Sequence, residues 1–136
     1  MKAEVYMVHG LSFVGKADTN HWVAMDGPPE LGGAAAGARP MELVLIGLAG
    51  CTGMDVVSIL TKMRARLREF RVDVEAARAE EHPKIFTDIK ISFYLRGDGL
   101  KEKDVAHAIE LSRDKYCSAA AMLSRASKIS YDFKIE

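Results

Sequence analysis

The segment Arg39–Met63, RPMELVLIGLAGCTGMDVVSILTKM, constrains this chain more than any other. It is too long and too evenly apolar for a strand. Its apolar residues fall on nearly every side of a helical wheel, the pattern of a helix buried on most sides. Pro40 suits the first helical position, where no N–H is needed. Glu42 lies in the first turn, where a carboxylate meets the positive end of the helix dipole. Asp55 and Lys62 are charges inside the run, so it reads as a core helix rather than a membrane span. At the α-helical repeat Gly47, Leu48, Cys51, Met54, Asp55, Ser58 and Lys62 share one stripe. The opposite stripe, Ile46, Ala49, Val56, Val57, Leu60 and Met63, reads as plain core. Gly47, Gly50 and Gly53 cost about 1 kcal/mol each against alanine, which implies a close backbone neighbour or room beside the Cys51 thiol. Cys51 itself is either a reactive thiol or a small buried hydrophobe.

The rest of the chain supplies strands and a second helical region. Residues 2–8 alternate, Ala3, Val5 and Met7 against Lys2, Glu4 and Tyr6, as a half-buried strand does. His9-Gly10 marks a turn, and 11–16 reads as the return strand. A short segment 22–25 follows, then the Gly- and Pro-rich loop 26–37. Arg64–Arg68 is basic and is expected to finish the long helix, where cations suit its negative end. Phe70, Val72, Val74 and Ala76 alternate with charged residues, as do Ile89, Ile91, Phe93 and Leu95, giving an antiparallel pair. Residues 101–113 read as an amphipathic helix with Val105, Ala108, Ile109 and Ser112 on one stripe. Asp114–Cys117 interrupts that stripe, and helix resumes at Cys117. Ile129, Tyr131, Phe133 and Ile135 alternate as a last strand. The order is an α+β domain, single over 1–136.

Charge and composition exclude several functions. Nineteen basic and nineteen acidic residues balance, so no nucleic-acid footprint is expected. Met1 leads directly into charged, strand-like residues rather than a signal peptide, and the cytoplasm is the expected compartment. The two cysteines, Cys51 and Cys117, form neither a zinc motif nor a secreted disulfide framework. None of His9, His21, His82 and His107 pairs with a cysteine at ligand spacing, so no metal and no cofactor are expected. Gly32–Gly37 lacks the strand and lysine of a phosphate loop.

What remains is thiol chemistry. Cys117 lies where a helix restarts, and free N–H groups there favour a thiolate, with Lys115 adding to the effect. Cys51 lies mid-helix, and Asp55 one turn on disfavours its thiolate. An activating cation must come from elsewhere, with Arg39, Lys16 and Lys62 the candidates in that order.

The runs DGPPELGG (from Asp26), RPMELVLIGLAGCTGMDVV (from Arg39) and KYCS (from Lys115) resemble the OsmC/Ohr family, and most of all its YhfA-like branch. The resemblance covers essentially the whole chain. It implies an OsmC-like fold, antiparallel sheets flanking a long central helix, assembled as an intertwined homodimer. In the family's peroxidases one cysteine attacks an organic hydroperoxide and becomes a sulfenic acid. A second cysteine resolves it as a disulfide, and a dithiol such as a lipoylated protein or thioredoxin reduces that. By position, Cys51 matches the attacking thiol and Cys117 the resolving one. The chain departs from the peroxidase pattern at two places. The family's glutamate ten positions before the first cysteine is Met41 here, and Glu42 stands nine before. On a regular helix Glu42 lies about 180° from Cys51, the place of a first-turn carboxylate. The family's hairpin arginine is missing, with Lys16 the nearest stand-in and Arg39 the other cation that could serve. Lysine lacks the planar fork of arginine. The resemblance therefore implies a hydroperoxide-reducing enzyme with Cys51, Cys117, Arg39, Lys16 and Glu42 as its site residues. The alternative is a non-catalytic member that binds a small molecule or a partner.

Overall fold

The computed structural model describes residues 1–136. It comprises two compact units, Met1–Leu45 and Ile46–Glu136. The first holds three strands, β1 (Ala3–His9), β2 (Ser12–Ala17) and β3 (Val23–Met25), antiparallel in that order. The β1–β2 turn runs through Gly10, whose φ of 56° suits glycine. β1 is exposed along its whole length, with Val5 54 % and Met7 67 % exposed. The expectation of a half-buried strand fails here because alternation records only that one face is apolar, and no layer in the single chain covers it.

The Gly- and Pro-rich loop after β3 is ordered by one carboxylate. Asp26 Oδ2 accepts hydrogen bonds from the Ser12 hydroxyl (2.6 Å) and the N–H groups of Ala34 (3.2 Å) and Ala36 (3.1 Å). Its Oδ1 accepts from Gly27 N–H at 2.7 Å. A Cβ on Gly33 would lie 1.9 Å from the Gly27 carbonyl oxygen, so only glycine lets the loop fold back this tightly.

Helix α1 spans Pro40–Lys62. Its start is half of a capping box: the Glu42 carboxylate accepts the Arg39 N–H at 2.8 Å. Its end differs from expectation. Arg64 takes a left-handed φ of 64°, and the N–H of Ala65 bonds back to the Leu60 carbonyl at 3.0 Å. The basic run 64–68 therefore does not finish the helix. Arg66 opens β4 (Arg66–Arg78), and Arg68 pairs with Asp98 across the sheet at 2.8 Å.

In the second unit β4 pairs antiparallel with β5 (Phe86–Asp98), as their alternation predicts. The last strand, β6 (Lys128–Ile135), lies parallel to β5, so this sheet is mixed rather than antiparallel. A parallel neighbour needs a long crossover. That crossover is α2 (Glu102–Leu111), a π-helical turn Ser112–Tyr116, and α3 (Ser118–Leu123). Ile89, Ile91, Phe93 and Leu95 of β5 are buried together with Val105, Ala108 and Ile109 of α2.

The long helix buries less than its sequence implies. Leu48, Thr52, Gly53, Val56 and Leu60 are its buried residues. Of the stripe read as plain core, Val56 and Leu60 are buried, whereas Ile46 is 60 % and Met63 39 % exposed. Met54 is 75 % exposed. A Cβ on Gly53 would lie 3.3 Å from Phe70 and Val72, whereas Gly47 and Gly50 have open space around them. Ile46, Ala49, Gly50, Met54, Val57, Phe70 and Val72 line an open apolar groove of about 690 Å³. By length and apolar composition alone the helix is also sufficient to cross a membrane, at a mean hydropathy of 2.0. A core helix passes the same test.

Candidate functional site: two thiols and a carboxylate

Three chemically able side chains meet beside α1. The sulfurs of Cys51 and Cys117 and a carboxylate oxygen of Asp55 all lie within 4.8 Å of one another. Cys51 and Asp55 come together because they stand four apart on one helix. Cys117 is brought in by the π-helical turn. Its N–H bonds to the Ser112 carbonyl, five residues back, at 2.8 Å. That wider turn is the interruption visible in the sequence at Asp114–Cys117, and it redirects the chain before α3 begins.

A buried hydroxyl pair fixes the carboxylate. Ser112 donates its hydroxyl hydrogen to Asp55 Oδ2 at 2.9 Å and lies 3.0 Å from the Thr52 hydroxyl oxygen. Ser112 has one hydrogen, already committed to Asp55, so Thr52 must be the donor in the second bond. Thr52 and Ser112 are both completely buried. Thr52, Ser112 and Asp55 thus form a directional chain ending on the acid beside the two thiols. None of the ion pairs in the chain involves Asp55. The acid lines a hollow of about 310 Å³ with Ser58, Lys62, Leu111 and Tyr116.

The two cysteines differ in setting. Cys51 is partly exposed, and Cys117 is buried, at 2 % exposure. Cys117 does cap α3, its sulfur accepting the Ala120 N–H at 3.4 Å. Burial nevertheless pushes its thiol up to about 11, and the neighbouring Cys51 and Asp55 add to the rise. The expectation that the helix start favours a Cys117 thiolate is thus overturned: desolvation outweighs one N–H. Lys115 does not help, since its ammonium lies over the Tyr116 ring at 5.3 Å. Tyr131 of β6 is half-buried, and burial and Cys117 both raise its phenol.

Lys16, Arg39 and Glu42, also singled out in the sequence, lie in the first unit. Lys16 pairs with Glu4 at 3.5 Å, donates to Asn20 at 3.0 Å and lies 4.9 Å from the centre of the Trp22 ring. Arg39 and Glu42 share the helix cap described above. The four histidines, His9, His21, His82 and His107, are all exposed and outside the thiol cluster. Sequence reasoning missed Thr52 and Ser112. Ser112 stood on the buried stripe of α2, and a serine on an apolar stripe is the signal that could have exposed it.

Comparison with known proteins bears on the family and the fold. Residues 32–132 match the family model described as OsmC-like protein. The chain is 39% identical to Protein YhfA of Escherichia coli K12 over 135 residues, covering 99% of this chain and 98% of that one. A hypothetical protein from Aquifex aeolicus VF5 has a similar structure, at a TM-score of 0.88 and 28% identity, covering 99% of this chain and 95% of that one. An organic hydroperoxide resistance protein from Elizabethkingia anophelis, crystallised with thiocyanate bound, has a TM-score of 0.71 at 14% identity. It covers 100% of this chain and 97% of that one, and at that identity the likeness is one of fold. By its sequence match and its architecture alike, the chain belongs to the OsmC-like protein family.

Proposed function

We propose that the protein is a thiol peroxidase that reduces organic hydroperoxides in oxidative stress defence in the cytoplasm. The observation that carries the reading is the approach of the Cys51 and Cys117 sulfurs, within 4.8 Å, with Cys51 the more accessible of the two. The Cys51 thiolate attacks the terminal oxygen of the hydroperoxide. The O–O bond breaks, Cys51 becomes a sulfenic acid, and the departing alkoxide takes up the proton that the Cys51 thiol released and leaves as an alcohol. The Cys117 thiol then attacks the Cys51 sulfur. The S–S bond forms, the S–O bond breaks, and water leaves with the proton Cys117 gives up. Asp55 stands close enough to both sulfurs to carry that proton. A dithiol reductant, a lipoylated protein or thioredoxin, restores both thiols by exchange.

Arg39 or Lys16, rather than Glu42, is assigned the task of favouring the Cys51 thiolate. The cap that Glu42 makes with Arg39 N–H supports leaving it out. Its test is the alkylation rate of Cys51 against pH in Arg39→Gln, Lys16→Gln and Glu42→Gln. A far larger effect from Glu42→Gln contradicts the assignment.

The working form is proposed to be a homodimer, as in the family. The apolar groove on α1 and the exposed Ile46, Met54, Val5 and Met7 support it, since a monomer seldom leaves so much apolar surface bare. Light scattering that finds a folded monomer at micromolar concentration contradicts it.

A second reading is a non-catalytic member that binds a small molecule or partner. What favours it is the neighbour of Cys51, which is the acid Asp55 rather than a cation. Treating the reduced protein with cumene hydroperoxide separates the two. Loss of the Cys51 thiol supports the peroxidase, and a thiol that survives supports the binder.

A further inference from the structure

The zinc-ligand spacing absent from the sequence is supplied by the fold. We propose that reduced Cys51 and Cys117, with Asp55, form a binding site for a thiophilic divalent cation of the zinc class, and that disulfide formation and cation binding exclude one another. The site requires only reduced thiols and does not depend on the peroxidase reading.

The geometry is close to what such an ion needs. Tetrahedral zinc, with sulfur at about 2.3 Å and carboxylate oxygen at about 2.0–2.2 Å, sets its ligands roughly 3.6–3.8 Å apart. The three donor atoms already lie within 4.8 Å of one another, so closing on an ion takes about 1 Å at most. Two sulfurs and one carboxylate suit zinc or cadmium and do not suit magnesium or calcium, which take oxygen ligands.

The surroundings fit a ligand set as well. A ligating carboxylate is normally held by a further hydrogen bond. Asp55 has one, from Ser112 to Oδ2, with Ser112 held in turn by the fully buried Thr52. Oδ1 makes no hydrogen bond and is free to ligate. Lys62 lines the same hollow as Asp55 yet makes no ion pair with it, so no side-chain cation neutralises the acid. The Ala120 N–H that points at Cys117 Sγ suits a metal-bound thiolate. Three protein ligands leave a fourth position for water or an exogenous ligand.

The test is anaerobic titration of the full-length reduced protein with cobalt(II) or cadmium(II) alone, following the sulfur-to-metal charge-transfer band. One equivalent per chain is expected, with zinc displacing the cobalt. Oxidising the wild-type protein to the disulfide should abolish the band, and a dithiol should restore it, which needs no variant to fold. Cys51→Ser and Cys117→Ser should each remove the band. Asp55→Asn should weaken binding by at least about tenfold, and Ser112→Ala by roughly tenfold to a hundredfold. No charge-transfer band in the reduced wild type overturns the site, and so does a band that persists in the disulfide form. Unchanged affinity in Asp55→Asn overturns the carboxylate ligand and with it the three-donor site.

Discussion

Asp26 and Asp55 are both acids taken out of bulk water, yet the fold uses them in opposite ways. Asp26 accepts four hydrogen bonds, one from Ser12 and three from backbone N–H groups, and so fills the acceptor capacity of a carboxylate. Asp55 accepts one, from Ser112, and has a carboxylate oxygen within 4.8 Å of two sulfurs. A saturated carboxylate holds a loop together. A half-satisfied one beside nucleophiles is available to move a proton or ligate an ion. The difference between structure and chemistry here is a count of donors rather than a difference of residue type.

The largest expected effect breaks that comparison at the structural end. Asp26→Ala leaves the Ala34 and Ala36 N–H groups without their acceptor, and their hydrogen exchange should rise to that of an open loop, whereas Asp55→Asn leaves it unchanged. The Ser12 hydroxyl, followed by the N–H groups of the loop, holds the Asp26 carboxyl below its ordinary value. A depressed folded-state value means this stabilisation is fully present above the unfolded carboxylate range and is lost as pH falls through the folded value. Acid should therefore loosen loop 26–38 in the wild type. Protection there that does not change on acidification contradicts the role.

At the chemical end, the expected effect is on substrate choice. An alkyl group buried against apolar side chains beside the two thiols, such as Leu48 and Met54 on the Cys51 stripe and Ala119–Leu123 after Cys117, would gain about 0.8 kcal/mol per CH₂. Three or four such groups, if their binding is realised in the transition state, favour cumene hydroperoxide over hydrogen peroxide by roughly two orders of magnitude. Equal rates of thiol loss with the two oxidants would remove the apolar handle from the account.

A smaller effect concerns pH. Burial holds Cys117 as a thiol up to about 11. In Cys51→Ser, the ultraviolet absorbance of the Cys117 thiolate should rise only in the strongly alkaline range. Removing Cys51 takes away one of the lesser causes of the rise and leaves burial in place. A midpoint near neutrality would mean the helix start wins over desolvation after all. The smallest effect is at the cap: Glu42→Ala should cost about 1 kcal/mol of stability, measured by denaturant unfolding, and leave Cys51 alkylation close to wild type.

The sequence carried the strands, the long helix and the shared face of Cys51 and Asp55, because each follows from a local period of two or of 3.6 residues. It did not carry what depends on partners distant in sequence. The parallel placement of β6 follows from the crossover through α2 and α3, and an isolated alternating strand such as 128–135 has no preferred direction. The exposure of Ile46 and Met54 was hidden because apolar residues all round a helix do not say which chain covers them. Cys117 was located correctly at a helix start, but its burial reverses the expected effect on its thiol. Ser112 was visible as a polar residue on the stripe of Val105, Ala108 and Ile109. Nothing in the sequence linked it to Asp55 and Thr52 on another helix. The meeting of Cys51, Asp55 and Cys117 was hidden for the same reason: they have no motif spacing and come together only through the π-helical turn.

Whether Cys51 and Cys117 act as one redox unit is tested most directly by intact-mass analysis after one equivalent of cumene hydroperoxide is added to the reduced protein. The expected product is an intramolecular Cys51–Cys117 disulfide, seen as the loss of two hydrogens. In Cys117→Ser a sulfenic acid on Cys51 should be trapped by a dimedone-type reagent, and Cys51→Ser should consume no hydroperoxide. A wild-type protein that keeps its reduced mass, or that oxidises only between chains, would contradict a two-thiol centre.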